Sequence, residues 1–245
     1  MAGHSHFSSI KHKKAIADLK RGKIFSKLAR QISVAAREKG GDIETNPYLR
    51  MAVEKAKSFN MPKENIERAI KRGTGEIEGE KLEEFIFEAY GPKGIAIIIQ
   101  GITDNKNRTL GEVKQILAKY NGKLATPGSV MWLFEKKGCI TIKNSKLKTQ
   151  NSKLKEDLEL KAIEAGAEDI YWHNDILDVY TKIQDLERVK KNLENQGIKT
   201  ESADLEWVAK DEIQLDKKNK QTIEKLFEEL DENNDIQEIY SNLAS

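Results

Sequence analysis

The chain has little of what catalysis, secretion and membrane insertion require. Its 245 residues include one cysteine, four histidines and four prolines, and aromatic residues make up 7%. A lone thiol, Cys139, excludes an internal disulfide framework. No apolar run approaches the ~20 residues of a membrane helix, and the N-terminus lacks the apolar stretch of a signal peptide. A cytoplasmic protein with no membrane partner is therefore expected. Phosphate-cradling GxxxxGK[ST], dinucleotide GxGxxG, HExxH and paired CxxC patterns are all missing. Of His4, His6, His12 and His173, only the last falls in a segment expected to fold, so a nucleophile has almost no choice of base. Cys139 precedes an apolar strand and reads as an inert core thiol. An enzyme is not expected, and no cofactor or small-molecule substrate is implied. Ala2-Gly3-His4, with Met1 removed, has the nitrogen set of a square-planar Cu(II) or Ni(II) site; a flexible polar end accounts for the same residues, and no metal is expected.

What is present is charge, unevenly placed. The formal net charge is +2. Residues 1–75 carry 17 Lys/Arg against 7 Asp/Glu, residues 76–200 carry 20 of each, and residues 201–245 carry 5 against 13. A one-ended basic segment is a footprint for nucleic acid or another polyanion, because the local field steers the encounter; a dipolar protein whose charged ends keep it soluble has the same pattern. The stretch IKHKKAIADLKRGKIF, residues 10–25, is its densest part.

Hydrophobic spacing divides the chain. Between Lys23 and Arg37, Ile24, Phe25, Leu28, Ile32 and Ala35 fall on one helical face, and Lys23, Lys27, Arg30 and Arg37 on the other. Gly40 is placed to end this helix. Asn46-Pro47 begins a second, and Pro62 a third that Gly73 closes. Residues 10–21 show no apolar stripe and read as an arm that orders against a partner. From Glu83 the period changes to two: Phe85, Phe87 and Ala89 alternate with Ile86, Glu88 and Tyr90. Ile95–Ile99 suits a central strand, and TDNKNRTLGEVKQILAKYNG a helix with Thr109 and Glu112 as a capping box. SVMWLFEKKG reads as a further strand. Residues 138–206 follow the order β-α-β-β-α-β, the ferredoxin-like split βαβ pattern. NSKLKTQNSKLK, between its first strand and helix, reads as a polar loop. The tail offers one helix, with Ile223, Leu226, Phe227 and Leu230 inward, and one strand, which together cannot close a core. They are expected to return and complete the 80–135 unit.

The expected fold class is thus α+β with three domains: a helical bundle over 1–78 bearing the basic arm, a discontinuous α/β domain formed by 79–135 and 207–245, and a ferredoxin-like α/β domain, 136–206, inserted into it.

MAGHSHFSSIKHKKAIADLKRGKIFSKL closely resembles the opening of the YebC/PmpR family, which includes the mitochondrial translational activator of cytochrome c oxidase subunit I. NMPKENIERAIKRGTGE, FEAYGPKG, TDNKNRT, GSVMWLFEKKG and DIQEIY match in order, while NSKLKTQNSKLK departs from the family pattern. The resemblance implies three domains with a segment-swapped middle one. It also implies a DNA-binding transcriptional regulator, or, as in the mitochondrial and some bacterial members, a ribosome-associated factor that relieves stalled translation.

The sequence therefore points to a nucleic-acid-binding regulator with DNA as the partner, ribosomal RNA as the alternative, and a protein-interaction module using the acidic tail as a third class. The residues expected to pair with phosphate are Lys11, Lys13, Lys14, Lys20, Arg21, Lys23, Lys27 and Arg30, with His12 donating a hydrogen bond among them. Arg108, beside a helix N-terminus, joins them. Neither aromatic residues interleaved with the arm nor a known base-reading motif selects DNA over RNA.

Overall fold

The computed structural model describes residues 18–143, 152–173 and 175–244. Three helices come first: α1 (Asp18–Lys39), α2 (Pro47–Ser58) and α3 (Lys63–Thr74). Asn46 caps α2, accepting a hydrogen bond from the Leu49 amide, and Pro47 supplies the first-turn φ. The apolar faces of Leu28, Ile32, Leu49, Val53, Ile66 and Ala69 converge in a small core. Helix α1 begins at Asp18, earlier than its apolar stripe, so Lys20 and Arg21 are helical. Gly73 does not end α3, which runs to Thr74 and is capped by Gly75. Its role is close approach. A Cβ on Gly73 would lie 2.3 Å from the Ser33 carbonyl oxygen and 2.7 Å from the Ala36 Cβ, so α1 and α3 cross backbone against backbone there.

The next sheet has the order β3-β1-β2-β8. Its strands are β1 (Glu83–Tyr90), β2 (Ala96–Thr103), β3 (Lys123–Leu124) and β8 (Ile236–Ser241), with helices α4 (Lys106–Lys119) and α7 (Lys217–Glu232). Phe85, Phe87, Ala89, Ile97 and Ile99 pack with Val113, Leu117, Ile223, Leu226, Phe227 and Leu230. The tail does return: β8 pairs antiparallel with β2, completing the sheet. Asn105, not the Thr109–Glu112 box, caps α4, accepting from the Arg108 amide.

SVMWLFEKKG is a strand only in its second half. Ser129–Leu133 is a turn ending in a single 3-10 turn, and β4 runs unbroken from Phe134 to Lys143, absorbing the segment CITIK. With α5 (Ser152–Ala165), β5 (Asp169–His173), β6 (Ile176–Thr181), α6 (Leu186–Asn195) and β7 (Ser202–Ala209) it gives the β-α-β-β-α-β order. The sheet order β5-β6-β4-β7 is the ferredoxin-like arrangement, with β4–β6 and β5–β6 antiparallel. The second NSKLK copy is not loop from Ser152 onward: it forms the first turn of α5. Residues 144–151 lie outside the described residues.

The chain divides into two compact units, 1–135 with 208–245, and 136–207.

Candidate nucleic-acid interface

In the first unit the cations nominated from sequence fall into separate groups. Lys23, Lys27 and Arg30 lie along one face of α1, at spacings of four and three that align them on a helix. That face meets the acidic chain end. Lys23 donates to the Glu232 carboxylate at 2.9 Å, Lys27 to Asp231 at 2.9 Å, and Arg30 to Asp235 at 2.5 Å. On α2, Lys55 reaches Glu238 at 3.2 Å. Arg108 is held by Asp104 at 2.6 Å and Asp235 at 2.7 Å. All four sequence-nominated cations of this group are therefore already neutralised by acids of the same chain.

Asp235 is the hub. One carboxylate oxygen accepts from Arg30; the other accepts from Arg108, from the Thr109 hydroxyl at 2.7 Å and from the Thr103 hydroxyl at 2.9 Å. Burial pushes its pKa up, but the bonds from Thr109, Arg108, Arg30 and Thr103 outweigh burial and hold it at about 2. The Arg108 pKa is correspondingly raised, first by Asp104 and then by Asp235. Local backbone makes the hub possible. The β2–β8 register shifts between Gln100 and Gly101, and the Asp235 carbonyl accepts from the Ile102 amide at 2.8 Å. A Cβ on Gly101 would lie 2.2 Å from that carbonyl oxygen and 2.3 Å from the Phe85 ring, so only glycine admits the approach.

Arg21 is exposed in the first turn of α1. Lys11, His12, Lys13, Lys14 and the Lys20 side chain lie outside the described residues. A group that sequence reasoning passed over lies on α3. Arg68, Lys71 and Arg72, at i, i+3 and i+4, are exposed on the face opposite Ile66, Ala69 and Ile70. Among the described residues none of the three has an ion-pair partner. The signal was their spacing, overlooked because the segment read first as helix punctuation.

The described residues hold no cluster of three or more His, Cys, Asp or Glu arranged for a metal. Cys139 is buried and its thiol is pushed well above the ordinary range, first by burial and then by Glu206, Asp178 and Asp204. It is a poor nucleophile.

Residues 5–76 match the TACO1/YebC protein N-terminal domain, and residues 82–243 match the TACO1/YebC second and third domain. The chain belongs to the TACO1/YebC family. Curated relatives of similar length bear the name "Probable transcriptional regulatory protein". The one from Halothermothrix orenii is 49% identical over 99% of this chain and 94% of its own, and the one from Persephonella marina is 48% identical over 99% and 95%. The crystal structure of the conserved hypothetical protein Aq1575 from Aquifex aeolicus superposes with a TM-score of 0.88 at 45% identity, covering 98% of this chain and 96% of that one. For a TACO1/YebC chain the hub thus lies where the N-terminal helices meet the returning tail, and the α3 stripe faces solvent on the helical part.

Proposed function

We propose that this TACO1/YebC chain is a non-enzymatic nucleic-acid-binding regulator acting on DNA, and that it grips phosphate with Lys11, Lys13, Lys14, Lys20 and Arg21 of the N-terminal segment together with Arg68, Lys71 and Arg72 of α3. His12 adds a hydrogen-bond donor. One observation carries the reading: the structure separates cations held by carboxylates from cations left open to solvent. Lys23, Lys27, Arg30 and Arg108 hold the tail against the helices. Arg68, Lys71 and Arg72 hold nothing in the described chain and share one exposed helix face. The name carried by the relatives agrees with a regulator, and the +10 charge of residues 1–75 agrees with a polyanionic partner.

The physical mechanism is counterion release. Eight phosphate contacts on duplex DNA give a log–log salt slope of about −7. Such contacts set register and orientation without reading sequence. Structured RNA is the second reading, and one observation favours it: a solvent-exposed tryptophan in the first unit, for which intact duplex DNA has no accessible base face.

Binding of a labelled duplex across a salt series tests the reading. Charge reversal at Arg68, Lys71 and Arg72 is expected to flatten the slope by about 2–3, since each lost contact removes ~0.9. A slope unchanged by that variant and by K13E/K14E/R21E overturns it.

A further inference from the structure

Trp132 is 65% exposed, the most exposed of the large apolar side chains in the described residues. It is not on a floppy loop. Glu88, on the β1 face away from the helical core, is buried and turns its carboxylate to the turn before Trp132. There it accepts from the amides of Gly128, Val130 (2.6 Å) and Met131 (2.8 Å). Burial raises the Glu88 pKa, but these three amide bonds prevail and hold it below the usual range. The Ser129 carbonyl accepts from the Tyr90 hydroxyl at 3.1 Å and from the Trp132 indole N–H at 3.0 Å. Lys210 donates to the Trp132 carbonyl at 2.8 Å. The buried Glu88 carboxylate, the Tyr90 hydroxyl and the Lys210 ammonium thus hold the turn that presents this ring to solvent.

The ring's chemistry is narrowed by what it has already used. Its sole donor is satisfied internally, so it offers a partner only its π faces and apolar edge. About two thirds of the residue's surface is open to solvent. The other tryptophans, Trp172 and Trp207, carry Lys155 and Lys136 over their rings, and the exposed Tyr48 carries Lys39. Among the described residues no cation or second ring covers Trp132. A protein hot spot is normally ringed by further contacts that exclude water, and β1 offers one exposed large apolar side chain, Ile86, on the face that carries Glu88 and Tyr90. No other large apolar side chain of residues 121–133 is exposed, and that segment contains Lys123 and no acid.

We infer that Trp132 is a stacking platform for an unpaired base of single-stranded nucleic acid. A flat, hydrogen-bond-indifferent ligand fits such a ring, and every base has a π face to offer. The inference rests on the nucleic-acid reading above and names the form of target it takes: a strand with at least one unstacked base, in an RNA loop or a melted DNA segment.

The test uses the full chain and three labelled probes of about twelve nucleotides or base pairs: oligo(U), oligo(dT) and a duplex. Trp132→Ala is expected to weaken binding to single-stranded probes about 5- to 150-fold while leaving duplex binding and the salt slope unchanged. Trp132→Phe is expected to restore most of the affinity, which a merely structural role would not explain. An oligo(U) effect without an oligo(dT) effect assigns the base to RNA, and the reverse assigns it to DNA; either supports the platform. If Trp132→Ala binds single strands like the parent while R68E/K71E/R72E loses them, stacking is overturned and the nucleic-acid reading stands. If the parent chain binds none of the probes, the nucleic-acid reading falls and the platform with it.

Discussion

Replacing Asp235 by asparagine keeps the side chain's shape and removes its charge, which isolates the electrostatic part of the hub. The folded carboxyl titrates at about 2, against ~4 in an unfolded chain. At 1.36 kcal/mol per unit, that displacement is worth about 2.5 kcal/mol at neutral pH. The amide also leaves the guanidinium of Arg30, which is largely buried, without its carboxylate. Removing one partner of a buried pair costs ~3 kcal/mol or more, and here the exposed side of Arg108 softens the loss. A net destabilisation of about 2–3 kcal/mol is expected, equivalent to a fall in Tm of about 4–12 °C for a chain of this size. The assay is hydrogen exchange across a urea series, read on peptides from α1 and β8. The sign with pH is fixed. The folded pKa lies below the unfolded one, so the stabilisation is complete above ~4 and fades as pH falls towards ~2. The gap between parent and D235N should therefore close over that window. A variant as stable as the parent at pH 7, or a gap that survives undiminished at pH 2.5, would refute the reasoning.

Other outcomes follow from the same geometry. Lys23→Gln with Lys27→Gln should lower stability, because both ammonium groups face tail carboxylates, yet leave the salt slope of nucleic-acid binding within about 0.5 of the parent; a slope change near 2 would return these lysines to the phosphate-binding set. Gly73→Ala should destabilise by about 3 kcal/mol through overpacking against Ser33 and Ala36, measured by urea unfolding, and a neutral result would mean α1 and α3 can part cheaply. Glu88→Gln should cost about 1–3 kcal/mol and speed amide exchange at 128–131, since three N–H groups lose a charged acceptor. The Glu88 pKa is held below its ordinary value, so its contribution is present above the normal carboxylate range and is lost as pH falls, a loss E88Q should not show.

Much of the fold could be read from residue spacing. The alternation Phe85-Phe87-Ala89 against Ile86-Glu88-Tyr90 marks β1 as a strand, and one helix with one strand, too little to close a core, reads as completing the 80–135 unit, where the structure pairs β8 with β2. What escaped were features that depend on a distant partner. Gly73 looks like a helix terminator because sequence cannot show that Ser33 lies against it. Thr109 looks like a capping hydroxyl because Asp235, its actual acceptor, is 126 residues away. The α1 cations were the more instructive case. Their spacing marked one helix face correctly, but a basic face has the same sequence signature whether it meets phosphate or carboxylate. The opposing charge of the two chain ends was the clue to the second outcome. Asp231, Glu232, Asp235 and Glu238 supply the carboxylates that Lys23, Lys27, Arg30 and Lys55 meet.

The most direct test is ultraviolet crosslinking in growing cells, with sequencing of the attached nucleic acid and mass-spectrometric mapping of the crosslinked peptides. Discrete nucleic-acid sites, with promoter DNA as the recovered sequence, are expected on peptides spanning residues 11–21, α3 and Trp132. Recovery of ribosomal RNA on those same peptides would move the target to the second reading. Recovery of no nucleic acid, or crosslinks confined to segments outside those peptides, would contradict the nucleic-acid reading.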